Sequence, residues 1–257
     1  MLFDTQHILY MVISSIIIIL LLVLFKLFVK QQKYKDLVLQ IFAVLTVIIH
    51  FSSLYVDYFK TGTAVVEAPM LLPIYPCNVA MWLLVISAFW KNKNSKVFSI
   101  IAEFTFYLGI VGAVVGIMLN EIYANNPTLA DWGVLKGLLS HSTMLVGCVY
   151  LLVGGYIKIR VKNTISVLFG LLFLLVDGGI IIGLYKMFKL TPPNCMYLLS
   201  NPVPNLPWLN TFVIGIIGLL IVFLIGVIVE QIALPKQDRW YSKLKKKNQI
   251  IENKEGE

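Results

Sequence analysis

Cys77 and His141 are the two side chains in this sequence whose chemistry could combine into nucleophilic attack on a carbonyl. A thiolate attacks a carbonyl, and an imidazole takes and returns the proton. Cys77 stands in Leu72-Pro-Ile-Tyr-Pro-Cys-Asn78, a proline-punctuated entry to an apolar run. Proline fits the first helical turn and disfavours helix before it, so Pro73 and Pro76 delay the helix and put Cys77 in its first turn. The positive end of a helix favours an anion, and a neighbouring histidine is the second recognised device for generating a thiolate. Taken singly, a free cysteine is most often a small buried hydrophobe, and a lone histidine a satisfied polar residue between helices.

Other polar residues fall near these two. Asn78 follows Cys77 and is a candidate oxyanion donor, together with the backbone N–H groups of the helix start. His50, Ser53 and Asp57 are spaced by three and four, which puts them on one helix face. His50 or Asp57 is a candidate to orient His141, as the third member of a triad orients its imidazole. Ser140 and Ser142 flank His141. The competing account is that these side chains hold helices together by interhelical hydrogen bonds.

The elements that must position them are membrane helices. Of the 257 residues, 59% are hydrophobic and 13% charged, and the mean hydropathy is +0.86, too apolar for the surface of a soluble domain. Apolar stretches of about 20 residues, enough to cross a hydrocarbon core of about 30 Å, recur along the whole chain. Seven are read, over 8–29, 37–59, 70–90, 97–119, 134–156, 164–188 and 210–234. The expectation is an all-α membrane protein, a seven-helix transmembrane domain over 1–235 followed by a basic cytoplasmic tail over 236–257. The first stretch is too long for a removable signal peptide and has neither a basic n-region nor a small-residue cleavage site.

Basic residues stay on the cytoplasmic side of short loops. Most of the 21 Lys and Arg fall in one alternating set of connections: Lys26 to Lys35, Lys91 to Lys96, Lys158 to Lys162 and the tail. The other set holds Lys60, Lys136, Lys186 and Lys189, with the acids Asp4, Glu67, Glu121 and Asp131. The N-terminus is therefore expected outside and the C-terminus inside, in a multi-pass protein of the cell membrane. The formal charge of +8 reads as a topology signal and not as a nucleic-acid footprint. At about 1.5 Å per residue, Cys77 lies roughly 10 Å in from Met70 and His141 roughly 9 Å in from Leu135, both in the outer leaflet.

Several further features are assigned a place. Glu103 reads as structural or snorkelling and Asp177 as a weaker site candidate, because an unpaired charge in a membrane helix must be neutral, paired or wet. Gly109, Gly112 and Gly116 form a small-residue stripe, which marks close helix packing. Cys148 reads as core. Cys195, in the outer loop, offers a rival use of Cys77 as a disulfide partner. That loop, from Thr191 to Trp208, contains five prolines and reads either as an ordered lid or as a constrained connector. No metal-ligand spacing, phosphate-binding glycine loop or nucleotide motif appears, so no cofactor is expected.

Leu72-Pro73 followed by Cys77, the single His141 early in a later helix, and Asn194 with Met196-Tyr197-Leu198 and Pro202 resemble the YwaF-like integral membrane family. That family is similar to a eukaryotic cysteine-dependent acyltransferase, transmembrane protein 164, which remodels ether phospholipids. The resemblance implies that Cys77 carries the acyl group as a thioester and that His141 activates it. It also directs attention to Asn194, Tyr197 and Trp208 as substrate-binding or lid residues. An outer-leaflet thiol lies level with phospholipid ester carbonyls and away from cytosolic acyl-CoA. A membrane phospholipid is therefore the expected acyl donor, with a lipid or lipoprotein acceptor. The competing class is a non-enzymatic polytopic protein, a small-solute transporter or an assembly partner, supported by Asp177, Glu103 and the polar face of the second helix. The sequence carries no signal of oligomeric state.

Overall fold

In the computed structural model, the described residues are 2–63, 66, 71–161, 164–201, 208 and 210–242. Glu67, Met70, Lys162, Pro202 and the basic tail beyond 242 lie outside them. Helix boundaries follow local capping chemistry. A short polar side chain at the N-cap accepts a backbone N–H that the helix cannot itself satisfy. Asp4 does this for α1 (Thr5–Phe28), Ser95 for α4 (Lys96–Met118), Asn120 for α5 (Glu121–Asn125), Asp131 for α6 (Trp132–Val153) and Asn210 for α8 (Thr211–Ala233). α2 (Gln32–Thr61) ends on Gly62 at φ 73°, the left-handed conformation a glycine adopts without a Cβ clash. α3 (Pro76–Phe89) and α7 (Thr164–Met187) are the remaining helices given a label among the described residues.

Six of these helices, α1, α2, α4, α6, α7 and α8, are long and apolar enough to cross a membrane. The seventh expected span is different. The run read over 70–90 becomes α3, whose 14 residues reach only about 21 Å, short of the roughly 30 Å core. The cause is local: Tyr75 is extended at φ −117°, ψ 156°, and Pro76 occupies the first helical position. The chain is all-helical among the described residues. The short α5, wedged between two spans, was not anticipated.

α6 is the hub. It packs on α2 and α4, with α3 between those two, while α1 lies against α6, and α7 and α8 lie on the far side of α4. α4 and α6 bury more than half of their apolar windows, whereas α1 buries none and α8 little. On α8 the row Phe212, Ile216, Leu220, Leu224, Ile228 and Ile232 is exposed throughout, an i, i+4 stripe facing outward. An exposed apolar surface on this scale belongs against lipid.

In lipid, apolar burial no longer drives helices together, so close approach at small residues and interhelical hydrogen bonds become the specific glue. Both are present. Thr46 Oγ1 donates to Thr143 Oγ1 across α2 and α6 (3.1 Å), and Tyr10 OH bonds Ser142 Oγ across α1 and α6 (2.9 Å). Trp132 Nε1–H donates to Ser52 Oγ at one end of the bundle (3.0 Å). At that end the buried His7 Nε2 meets the Ile117 carbonyl at 2.8 Å. At the opposite end Asp36 Oδ1 receives Lys93 Nζ (2.9 Å) and Tyr156 OH (2.7 Å). The two ends differ in character: Asp4, Cys77 and His141 belong to the first, and the Lys-rich connections to the second.

Candidate active site

Cys77 is the second residue of α3, half-buried, with Pro76 before it. The helix begins here because Asn78 Oδ1 reaches back to accept the Tyr75 N–H (3.2 Å), the reciprocal half of a capping box. Asn78 is thus a fastener of the helix start as well as a neighbour of the thiol. In an α-helix the first-turn N–H groups have no i−4 carbonyl, so those of Cys77 and Asn78 sit at the positive end of α3.

His141 lies two and a half turns into α6, on the side facing α3 and α4. Its Nδ1 is 2.7 Å from the Gly137 carbonyl. A carbonyl oxygen only accepts, so Nδ1 carries the proton and the neutral ring presents a lone pair at Nε2. This is the tautomer a base needs at Nε2.

The structure brings the two residues together. A cavity of about 50 Å³ is lined by Cys77, Asn78 and Met81 of α3, Thr46 and His50 of α2, and Ser140, His141 and Met144 of α6. It has room for about one or two waters. Two walls are methionines, unbranched side chains that rearrange at low cost when something larger enters.

α4 forms the back of the site through its glycines. A Cβ on Gly112 would lie 3.5 Å from Cys77 Cα, and one on Gly116 would lie 2.2 Å from both Nε2 and Cδ2 of His141. A Cβ on Gly109 would lie 2.1 Å from Sγ of the fully buried Cys148. The small-residue stripe is therefore helix packing, as expected, but two of its three members pack on the candidate reacting residues. Cys148 is core.

The remaining residues divide. His50 shares the cavity, whereas Asp57 is exposed near the end of α2 and does not line it. The polar face of α2 runs the other way, through Thr46, one turn before His50. Spacing held that signal, since 46 and 50 are four apart, as are 77 and 81. Asp177 lies apart from the cavity, with Oδ2 buried and unpartnered among the described residues. The three cysteines are free, and Cys195 is buried against Ile74, Ile181 and Ile182. Desolvation, with Asp177 nearby, raises the Cys195 pKa above the usual thiol range.

The segment over 194–200 is tied to the residues just before Cys77. Met196 N–H donates to the Ile74 carbonyl (2.9 Å), and the Tyr197 ring rests against that of Tyr75, with centroids 5.4 Å apart. Thr211 Oγ1 holds the carbonyls of Met196 (3.1 Å) and Tyr197 (2.6 Å). Met196 and Tyr197 both have positive φ, 49° and 56°, a conformation held by these contacts. Asn194 closes the turn on itself: Oδ1 accepts from Leu199 and Ser200 N–H, and Nδ2 donates to the Ser200 carbonyl and hydroxyl. Trp208 is exposed, away from the cavity.

A family model, described as the TMEM164 family, matches residues 2–229. The chain belongs to the TMEM164 family. As a TMEM164-family protein with six long apolar spans, it is a multi-pass membrane protein. Neither the curated proteins nor the solved structures compared with this TMEM164-family chain contain a match.

Proposed function

We propose that this protein is a membrane-embedded transacylase that moves an acyl chain from a phospholipid through a thioester on Cys77. The observation that carries the reading is the shared cavity, in which Cys77 and the Nδ1-protonated His141 meet. Cys77 gives up its proton to His141 Nε2, and the thiolate attacks the ester carbonyl. The tetrahedral oxyanion is held by first-turn N–H groups of α3. The carbon–oxygen bond then breaks, His141 returns the proton to the leaving lysophospholipid oxygen, and the acyl group stays on sulfur. In the second half an acceptor hydroxyl or amine attacks the thioester, His141 takes its proton, and the thiol is restored.

The distribution of basic residues supports an orientation with Cys77 in the outer leaflet of the cell membrane, N-terminus outside and C-terminus cytoplasmic. At that depth phospholipid esters are the abundant carbonyls. The 195–197 segment, attached to Ile74 and Tyr75, acts as the cap over the route to Cys77.

Purified protein incubated with acyl-labelled phospholipid is expected to form a hydroxylamine-sensitive adduct, absent in Cys77→Ala and formed more slowly in His141→Ala. Absence of the adduct in the unaltered protein, with full cellular function retained by Cys77→Ala, overturns the proposal.

A further inference from the structure

At the end of the bundle opposite Cys77, the chain between α6 and α7 is drawn across the start of α4. The segment over 156–161 is fixed at both ends. The Tyr156 hydroxyl donates to Asp36, and the Val161 N–H donates to Glu230 Oε2 of α8 (2.8 Å). Between these anchors burial alternates: Ile157 and Ile159 enter the core, and Lys158 and Arg160 stay exposed. Alternation in an extended segment sends residues two apart to the same side. Lys158 and Arg160 consequently line one groove of about 480 Å³, with Lys93, Ser95 and Ser99 on its other wall.

The groove's charges are unequal in how far they are answered. Lys93 is neutralised by Asp36 at 2.9 Å. Glu103 is buried at the groove's floor and accepts from Ser99 Oγ at 3.4 Å. Glu230 bonds the Val161 N–H. Lys158 and Arg160 form neither a hydrogen bond nor an ion pair among the described residues. A second opening of about 570 Å³ adjoins through Lys93, Asn94, Gly155 and Tyr156, and Trp90 stands on its rim. Tyrosine and tryptophan of this kind settle at the level of lipid headgroups.

We infer that this groove is a binding site for the headgroup of an anionic phospholipid, with Lys158 and Arg160 as its phosphate ligands. A pair of cations on a pinned segment, with serine hydroxyls opposite them at the start of a membrane helix on the Lys-rich side, has the form such headgroups take. Arginine supplies a forked donor that matches a phosphodiester, and lysine a point charge. General attraction by a basic membrane face requires neither the pinned segment nor the groove. The inference stands apart from the Cys77 chemistry, because it concerns the opposite end of the bundle.

The test is lipid retention by the full-length protein after detergent exchange, read by native mass spectrometry with phosphatidylglycerol and phosphatidylcholine supplied equally. Phosphatidylglycerol is expected to be preferred. The double substitution K158Q/R160Q is expected to weaken that preference about twenty-five-fold, from a contribution of roughly fivefold per cation. The control K26Q/K33Q, which removes two exposed charges at the same end outside the groove, keeps it. Equal retention of the two lipids, an unchanged preference in K158Q/R160Q, or equal loss in the control overturns the inference. Full displacement of phosphatidylglycerol by millimolar inorganic phosphate also overturns it, by making the ligand a soluble anion.

Discussion

Gly116 leaves the gap that the His141 ring fills: a Cβ at 116 would stand 2.2 Å from Nε2 and from Cδ2. The ring cannot turn aside freely, because its Nδ1–H is committed to the Gly137 carbonyl at 2.7 Å. Gly116→Ala is therefore expected to displace the imidazole and slow formation of the acyl adduct by about tenfold or more, a part of the roughly 100- to 10,000-fold that general-base catalysis contributes. Gly112→Ala, whose added carbon meets Cys77 Cα at an ordinary 3.5 Å, is expected to keep most of the rate. Adduct kinetics of the two variants side by side check this; equal rates would remove Gly116 from the positioning of His141.

The same stripe yields a test in stability alone. Gly109→Ala puts a carbon 2.1 Å from Cys148 Sγ and 2.7 Å from its Cβ, inside a packed helix pair. Overpacking of this kind costs about 1–3 kcal/mol. Adding Cys148→Gly removes the opposing atoms, and the double variant is expected to recover part of the loss in a thermal or denaturant midpoint. Strict additivity of the two changes would show that these positions do not share one contact.

Asn194 makes four hydrogen bonds within residues 194–200 and is expected to hold the turn in shape without supporting the helical bundle. Asn194→Ala should loosen that segment by about 1–3 kcal/mol of local stability, the cost of leaving such partners unpaired. Hydrogen exchange should accelerate over 194–200 while α4 and α6 stay protected. Faster exchange spread evenly over all helices would contradict a local role.

The carboxyl of Asp4 is held below the usual carboxylate range, first by the Tyr123 hydroxyl and then by the His7 N–H. A depressed carboxyl contributes stability above its unfolded pKa, and that contribution disappears as pH falls through the lower folded value. Acidification through the carboxylate range and below is expected to release the N-terminal turn of α1 from α4 and α5. Asp4→Asn should lack this part of the pH dependence. The check is protease accessibility of the N-terminus against pH in both proteins.

Much of the candidate site was legible because membrane helices obey simple rules. Prolines 73 and 76 announced the first-turn position of Cys77, and rise per residue put His141 level with it. His50 was found because helical spacing lined it up with other polar residues. The polar spacing of α2 continues past His50 to exposed Asp57, whereas the cavity takes in Thr46, one turn before His50. Periodicity names a stripe and says nothing about which length of it meets a neighbour. The span over 70–90 was read too long because hydropathy counts apolar residues whether or not their backbone is helical. Tyr75 and Pro76 decide that point.

Sequence alone determined the class, the sites of most helix ends and the concentration of positive charge at one side, since each depends on local composition, capping or hydropathy. It also singled out Cys77 and His141. Only the tertiary structure decided that these two line one cavity, that Gly116 is the slot for the imidazole, and that Met196 and Tyr197 fasten to Ile74 and Tyr75, just before Cys77. Those relationships join residues tens of positions apart. They are set by which helix faces meet when close packing and hydrogen bonding are satisfied at once, and one-dimensional spacing does not specify that.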